Sequence, residues 1–131
     1  MTRCLLDTNI WIGLSRGEPA LVARLQRLDP TRVVCCSVVR GELLFGARKS
    51  QQVDRNLIGM AKLLEPYDSF AFDDGAASYY GMIRAVLERG GTPIGGNDLM
   101  IAAISLRHDF VLVTRNHAEF SRVPGLRLEI W

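Results

Sequence analysis

Three short apolar runs limit what this chain can become: Cys4-Leu5-Leu6, Val33-Val34-Cys35-Cys36 and Val111-Leu112-Val113-Thr114. Each is too short for a helix. None alternates apolar with polar residues, so each reads as a strand covered on both faces. The first two run straight into a polar residue and then into helical spacing. That pattern predicts strands of a parallel sheet joined by crossover helices.

The segments between them fit. Ile10 to Leu14 reads as a short helix, and Glu18-Pro19 opens a second reaching about Leu28, with Pro19 in its first turn. Ser37 is the expected N-cap of a helix carrying Val38, Val39, Glu42, Leu43 and Leu44. Val39, Leu43 and Leu44 are expected to face inward. Gln51 to Leu64 repeats apolar residues at helical spacing until Pro66 stops it. Ser69 to Phe72 is a short strand candidate. Asp73 or Asp74 caps a helix to about Arg89, closed by Gly90-Gly91. A Gly95-Gly96 loop, read as a tight turn, precedes Asn97-Asp98 and an apolar helix from Leu99 to Leu106. Leu126 to Trp131 is the expected last strand. The predicted architecture is α/β: a central parallel β-sheet flanked by α-helices in three layers, one domain over residues 1–131.

At 131 residues the chain is long enough to bury a core without metal or disulfide support. A net charge of +2 does not announce a nucleic-acid binder, so any basic patch must be local. Cys4, Cys35 and Cys36 form no metal-binding spacing and lie in strands. They read as buried reduced thiols, which fit a cytoplasmic protein. No signal-peptide pattern and no apolar run of membrane-spanning length is present.

In parallel sheets, reactive groups collect beyond the carboxyl ends of the strands. Three acids fall there. Asp7 follows the first strand, Glu42 lies about a turn into the helix after the second, and Asp98 opens the apolar helix after the double glycine. Singly, each has a structural explanation: a turn residue with Thr8 and Asn9, a solvated helix residue, or an acid at a helix N-terminus. Together they would repel and raise one another's pKa, and a divalent cation removes that cost. All-oxygen ligation suits Mg²⁺ or Mn²⁺ and not zinc. His108 and His117 lack ligand spacing and read as loop or surface residues. A carboxylate-held Mg²⁺ is a common device for cutting phosphodiesters.

Two other chemistries compete. Aspartyl-phosphate transfer would use Asp7 as nucleophile, but it wants a second acid two residues on and a later lysine. Asn9 stands at the first place, and no lysine follows Lys62. A non-enzymatic binding module would need a weakened acid set.

Four blocks, in order, resemble the PIN-domain ribonuclease toxins called VapC. They are Leu5-Leu6-Asp7-Thr8-Asn9-Ile10, the run from Ser37 to Ala47, the run from Gly95 to Ala103, and Leu112 to Asn116 with Phe120 to Leu126. The resemblance implies that Asp7, Glu42 and Asp98 hold Mg²⁺, with Mn²⁺ as an alternative. The family often has a fourth acid where Asn116 stands here. That amide adds no negative charge, so a second metal site is expected to depend on substrate or on nearby Glu119. Thr114 is expected to contact the acid cluster and Asn9 to orient Asp7. The resemblance also implies an endoribonuclease acting on tRNA or another structured RNA to stop translation. It implies a homodimer, a cognate antitoxin (VapB-type) covering the active-site groove, and operator DNA bound only through the antitoxin. Trp11 and Leu14 are candidates for lining that groove, with core packing the other reading for both. Arg115, Arg84, Arg48, Lys49 and Arg40 are the cations nearest the acids by element, with Arg115 the foremost RNA contact.

Overall fold

The computed structural model describes residues 2–131. Five short strands form one all-parallel sheet: β1 (Cys4–Leu6), β2 (Val33–Cys36), β3 (Asp68–Phe70), β4 (Val111–Val113) and β5 (Arg127–Glu129), in the order β3-β2-β1-β4-β5. The helices are α1 (Thr8–Ser15), α2 (Pro19–Gln26), α3 (Ser37–Arg48), α4 (Val53–Leu64), α5 (Asp74–Arg89), α6 (Gly96–His108) and the short α7 (His117–Phe120). The flanked parallel sheet is the expected one. It explains why β1 and β2 read as unbroken apolar runs: all seven of their residues are buried. The edge strands β3 and β5 are half-exposed and mixed in composition. Their bounds therefore differ from the expected Ser69–Phe72 and Leu126–Trp131.

The strand order locates the site. From β1 the chain moves outward through β2 to β3, then returns to the other side of β1 as β4. The reversal lies between β1 and β4, and ligands of open parallel sheets bind outside the strand ends at such a point. The register places Cys4 against Val111 and Leu6 against Val113. Asp7 and Thr114 therefore leave the sheet side by side.

The core gathers around this central pair. Leu5, Leu6, Ile10, Leu112, Ile101, Ile104 and Phe120 are fully buried, and burying each such side chain contributes about 1.5–3 kcal/mol. Trp11 belongs to this core and not to a groove. It is fully buried, with its ring centroid 5.2 Å from that of Tyr67. Its Nε1–H has no hydrogen-bond partner among the described residues. Leu14 is mostly buried as well, but it still borders a concavity that it shares with Ile12, Glu42, Leu43 and Lys49, while Thr8 and Ile12 face the groove beside Asn97.

Several local readings change. Cys36, not Ser37, is the N-cap of α3, with no side-chain cap bond. The Ser37 hydroxyl instead accepts from the Phe72 N–H at 3.2 Å, pinning the segment after β3. Leu44 lies on the outer side of α3, 37% exposed. Asp73 is the acid that caps α5, through the Ala76 N–H at 2.9 Å. His108 is no loop residue: it ends α6, stacked on Phe110 at 5.2 Å and tilted against Phe70 at 4.7 Å. Partial burial and the Arg107 charge lower its pKa. All three cysteines are free and buried, and burial pushes the Cys36 thiol up to about 12.

Candidate active site

Asp7 is placed by both its strand and its helix. Its N–H extends the β1–β4 ladder to the Val113 carbonyl at 2.9 Å. Its Oδ1 accepts from the Thr8 N–H at 2.8 Å, making Asp7 the N-cap of α1. Its Oδ2 accepts from the Thr114 hydroxyl at 2.7 Å. Asp7 is 6% exposed and Thr114 fully buried. Burial raises the Asp7 pKa, the two hydrogen bonds hold it down, and the Glu42 charge raises it further.

Thr8 carries the arrangement to a second element. Its hydroxyl donates to Glu42 Oε1 at 2.7 Å, while its backbone N–H serves Asp7. One residue thus fixes two carboxylates from different helices. The sequence reading missed this role, although a hydroxyl residue directly after a strand-end aspartate was its visible signal. Asn9, expected to orient Asp7, is exposed on α1. The Asp7 carboxylate instead accepts from the Thr8 backbone N–H and the Thr114 hydroxyl.

Asp98 lies in the first turn of α6. Asn116 reaches it through Nδ2, donating to Oδ2 at 3.3 Å, and its own N–H donates to the Thr114 hydroxyl at 3.0 Å. Burial pushes the Asp98 pKa up, then the Asp7 charge, then Glu119 by charge and by accepting a hydrogen bond from the acid, and then Glu42, to about 6. Asp7, Glu42, Asp98 and Glu119 therefore share one electrostatic environment at the sheet's switch point. The double glycine before Asp98 is not a strained turn. Gly95 caps α6 at φ −61, and a Cβ on either glycine would meet nothing within 4 Å. These residues leave the helix N-terminus open.

Among the described residues, no three His, Cys, Asp or Glu side chains already converge as a coordination shell. The carboxylates turn instead to protein donors: Asp7 to Thr8 and Thr114, Glu42 to Thr8, Asp98 to Asn116. Mutual repulsion gives this arrangement its physical reason. The donor set fits a hard divalent cation, because it is all oxygen and because Asp98 is both partly buried and set among the like charges of Asp7, Glu119 and Glu42. Neither histidine competes, since His108 is held among aromatic rings and His117 is exposed at the start of α7.

The cations divide. Arg115 forms a two-pronged ion pair with Glu18, a partner not foreseen because Glu18 lies 97 residues away in the chain. Arg84 is held by Glu88 and Tyr80 on α5. Arg40 lines a separate concavity with Ile58, Lys62 and Tyr67. Arg48 is exposed in the last turn of α3. Lys49 shares a groove with Glu42 and Thr8.

Comparison with known proteins agrees with this geometry. The PIN domain family matches residues 4–126. The tRNA(fMet)-specific endonuclease VapC of Shigella flexneri is 40% identical over 131 residues, covering 100% of this chain and 99% of its own. The crystal structure of DNA-bound VapBC from Salmonella typhimurium has a TM-score of 0.93 at 37% identity, covering 100% of this chain and 99% of that one. The VapBC2 structure from Rickettsia felis, bound to a DNA fragment from its promoter, has a TM-score of 0.93 at 33% identity, covering 99% of both chains. With the family pattern spanning nearly the whole chain and full-length relatives well above 30% identity, the chain belongs to the PIN-domain family and, within it, to the VapC endonucleases.

Proposed function

We propose that this chain is a Mg²⁺-dependent endoribonuclease, able to use Mn²⁺, and the toxin of a toxin–antitoxin pair that cuts tRNA or another structured RNA in the cytoplasm and so inhibits translation. The observation that carries the reading is the hydrogen-bonded chain Thr114–Asp7–Thr8–Glu42, which sets acids from separate elements at the switch point beside Asp98. Asp7, Glu42 and Asp98 are the residues that would hold the cation. When bound, it supplies an activated water and charge neutralisation at the scissile phosphate. Thr114 and Thr8 orient Asp7, and Thr8 restrains Glu42. Asn116 orients Asp98 without adding charge. Glu119, coupled to Asp98, supplies the fourth negative charge that Asn116 lacks.

The proposed partners are a VapB-type antitoxin, operator DNA held through that antitoxin, and a second copy of the chain. The DNA-bound VapBC structures support the first two. Exposed Met82 and Val86, one turn apart on α5, support the homodimer. The Shigella relative's name supports tRNA as the substrate class.

The test is purified protein with total tRNA and Mg²⁺ or Mn²⁺. Discrete endonucleolytic products are expected, lost on adding EDTA and lost in Asp7→Asn. Equal cutting by Asp7→Asn contradicts the proposal. Release of phosphate from a generic phosphomonoester with intact tRNA would favour aspartyl-phosphate chemistry instead.

A further inference from the structure

We infer that Phe45 is a stacking platform for an unpaired base of the RNA substrate, with Lys49 neutralising an adjoining phosphate. The inference rests on the nuclease reading above and extends it to substrate positioning.

Glu42, Phe45 and Lys49 follow one another at spacings of three and four, so they lie along one face of α3 and its C-terminal cap. All three line one open groove of about 690 Å³, together with Thr8 and Asn97. The groove therefore begins at the carboxylate cluster and runs along α3. Phe45 is 65% exposed, the most exposed of the large apolar side chains among the described residues. Its ring pairs with no other aromatic ring there. Its one ring partner is the Lys49 ammonium, with Nζ 5.2 Å from the centroid. Lys49 has no carboxylate partner among the described residues, unlike Arg84 and Arg115.

Two glycines on α3 point the same way. Gly41 and Gly46 border the groove, and a Cβ on either would meet nothing within 4 Å. Internal packing gives no reason for glycine at these helical positions, where it is less favourable than alanine by about 1 kcal/mol. They leave the helix surface bordering the groove near Phe45 without side chains. A bare aromatic face with free space beside it, a neighbouring cation and a carboxylate cluster one turn away is the combination that binds single-stranded nucleic acid: a π-face for the base and positive charge for the backbone.

The experiment measures binding without cleavage. Purified protein in EDTA is titrated into a short single-stranded oligoribonucleotide carrying 2-aminopurine, whose fluorescence is quenched by stacking. Wild type is expected to bind and quench. Phe45→Ala is expected to weaken binding about tenfold and to lose the quenching. Phe45→Trp should restore both, whereas Phe45→Leu, which keeps apolar bulk without a π-face, should not. Unchanged affinity in Phe45→Ala overturns the inference, as does full rescue by Phe45→Leu or a wild type that does not bind. Intact RNA binding with lost capture of an antitoxin peptide, or a change in oligomeric state by light scattering, assigns Phe45 to a protein interface and also overturns it. Cleavage of tRNA by the metal-loaded wild type is scored separately. Its absence counts against the nuclease reading, whereas intact cleavage with unaltered Phe45→Ala binding counts against this inference alone.

Discussion

Asp98→Asn is expected to lower RNA cleavage by a factor on the order of 10³ while making the metal-free protein more stable at pH 7.5. Both effects come from a carboxylate that is partly buried and crowded by like charges. In the fold the Asp98 pKa is raised to about 6 by burial, Asp7, Glu119 and Glu42, from an ordinary 3.8. The folded protein therefore binds the Asp98 proton more tightly than the unfolded chain does. Between about pH 4 and pH 6 stability falls as pH rises, and above about pH 6 the full penalty is present. Asparagine does not titrate, so the variant escapes that penalty. With solvent screening at a half-exposed site, the gain is roughly 1 kcal/mol. Added Mg²⁺ or Mn²⁺ reverses the order, because the wild type binds the cation more tightly and so gains more binding free energy. Thermal melts of both proteins, with EDTA and with Mn²⁺, read this crossover. A destabilised metal-free Asp98→Asn protein would show that the acids are not held against mutual repulsion.

Thr114→Val acts from the opposite side. The lost hydroxyl leaves buried Asp7 Oδ2 without its 2.7 Å donor and the Asn116 N–H without its acceptor. Losing a hydrogen bond to a buried charged group destabilises by about 1.5–3 kcal/mol. Metal affinity or cleavage is expected to fall by about 10- to 100-fold, as for other groups that orient a ligand. The lost bond was one that lowered the Asp7 pKa. The acid limb of the pH–rate profile therefore moves to higher pH, and the stability loss is larger at neutral than at acid pH. Thr114→Ser, which keeps the hydroxyl, should recover most of each effect. Equal damage in Thr114→Ser and Thr114→Val would point to packing and not to the bond on Asp7.

Much of the fold was legible because β1, β2 and β4 are buried on both faces and carry little else. Their apolar runs named them, and the acids after them named the mouth of the sheet. The edge strands were misplaced by one or two residues at each end because half-exposed strands have mixed composition. Asp7, Glu42 and Asp98 could be picked out one by one, but not what joins them. Thr8 works through its backbone and side chain at once, and that double role needs the register of β1 and the start of α1 together. Trp11 was a groove candidate only through the resemblance, and its full burial against Tyr67 shows the core reading to be the right one. The Glu18 partner of Arg115 depends on a contact across nearly the whole chain, which no local pattern reports. The exposure of Phe45 was likewise invisible, since Leu43, Leu44 and Phe45 read as one apolar run until α3 turns Leu44 and Phe45 outward.

Asp7, Glu42 and Asp98 are proposed to form one divalent-cation site. Mn²⁺ uptake followed by electron paramagnetic resonance at pH 7.5 tests it most directly, on metal-free wild type beside Asp7→Asn and Asp98→Asn. The wild type is predicted to take up Mn²⁺ in a saturable site that Mg²⁺ displaces, with affinity reduced at least about tenfold in each variant. No uptake by the wild type, or equal uptake by all three proteins, would mean that these carboxylates do not share a cation.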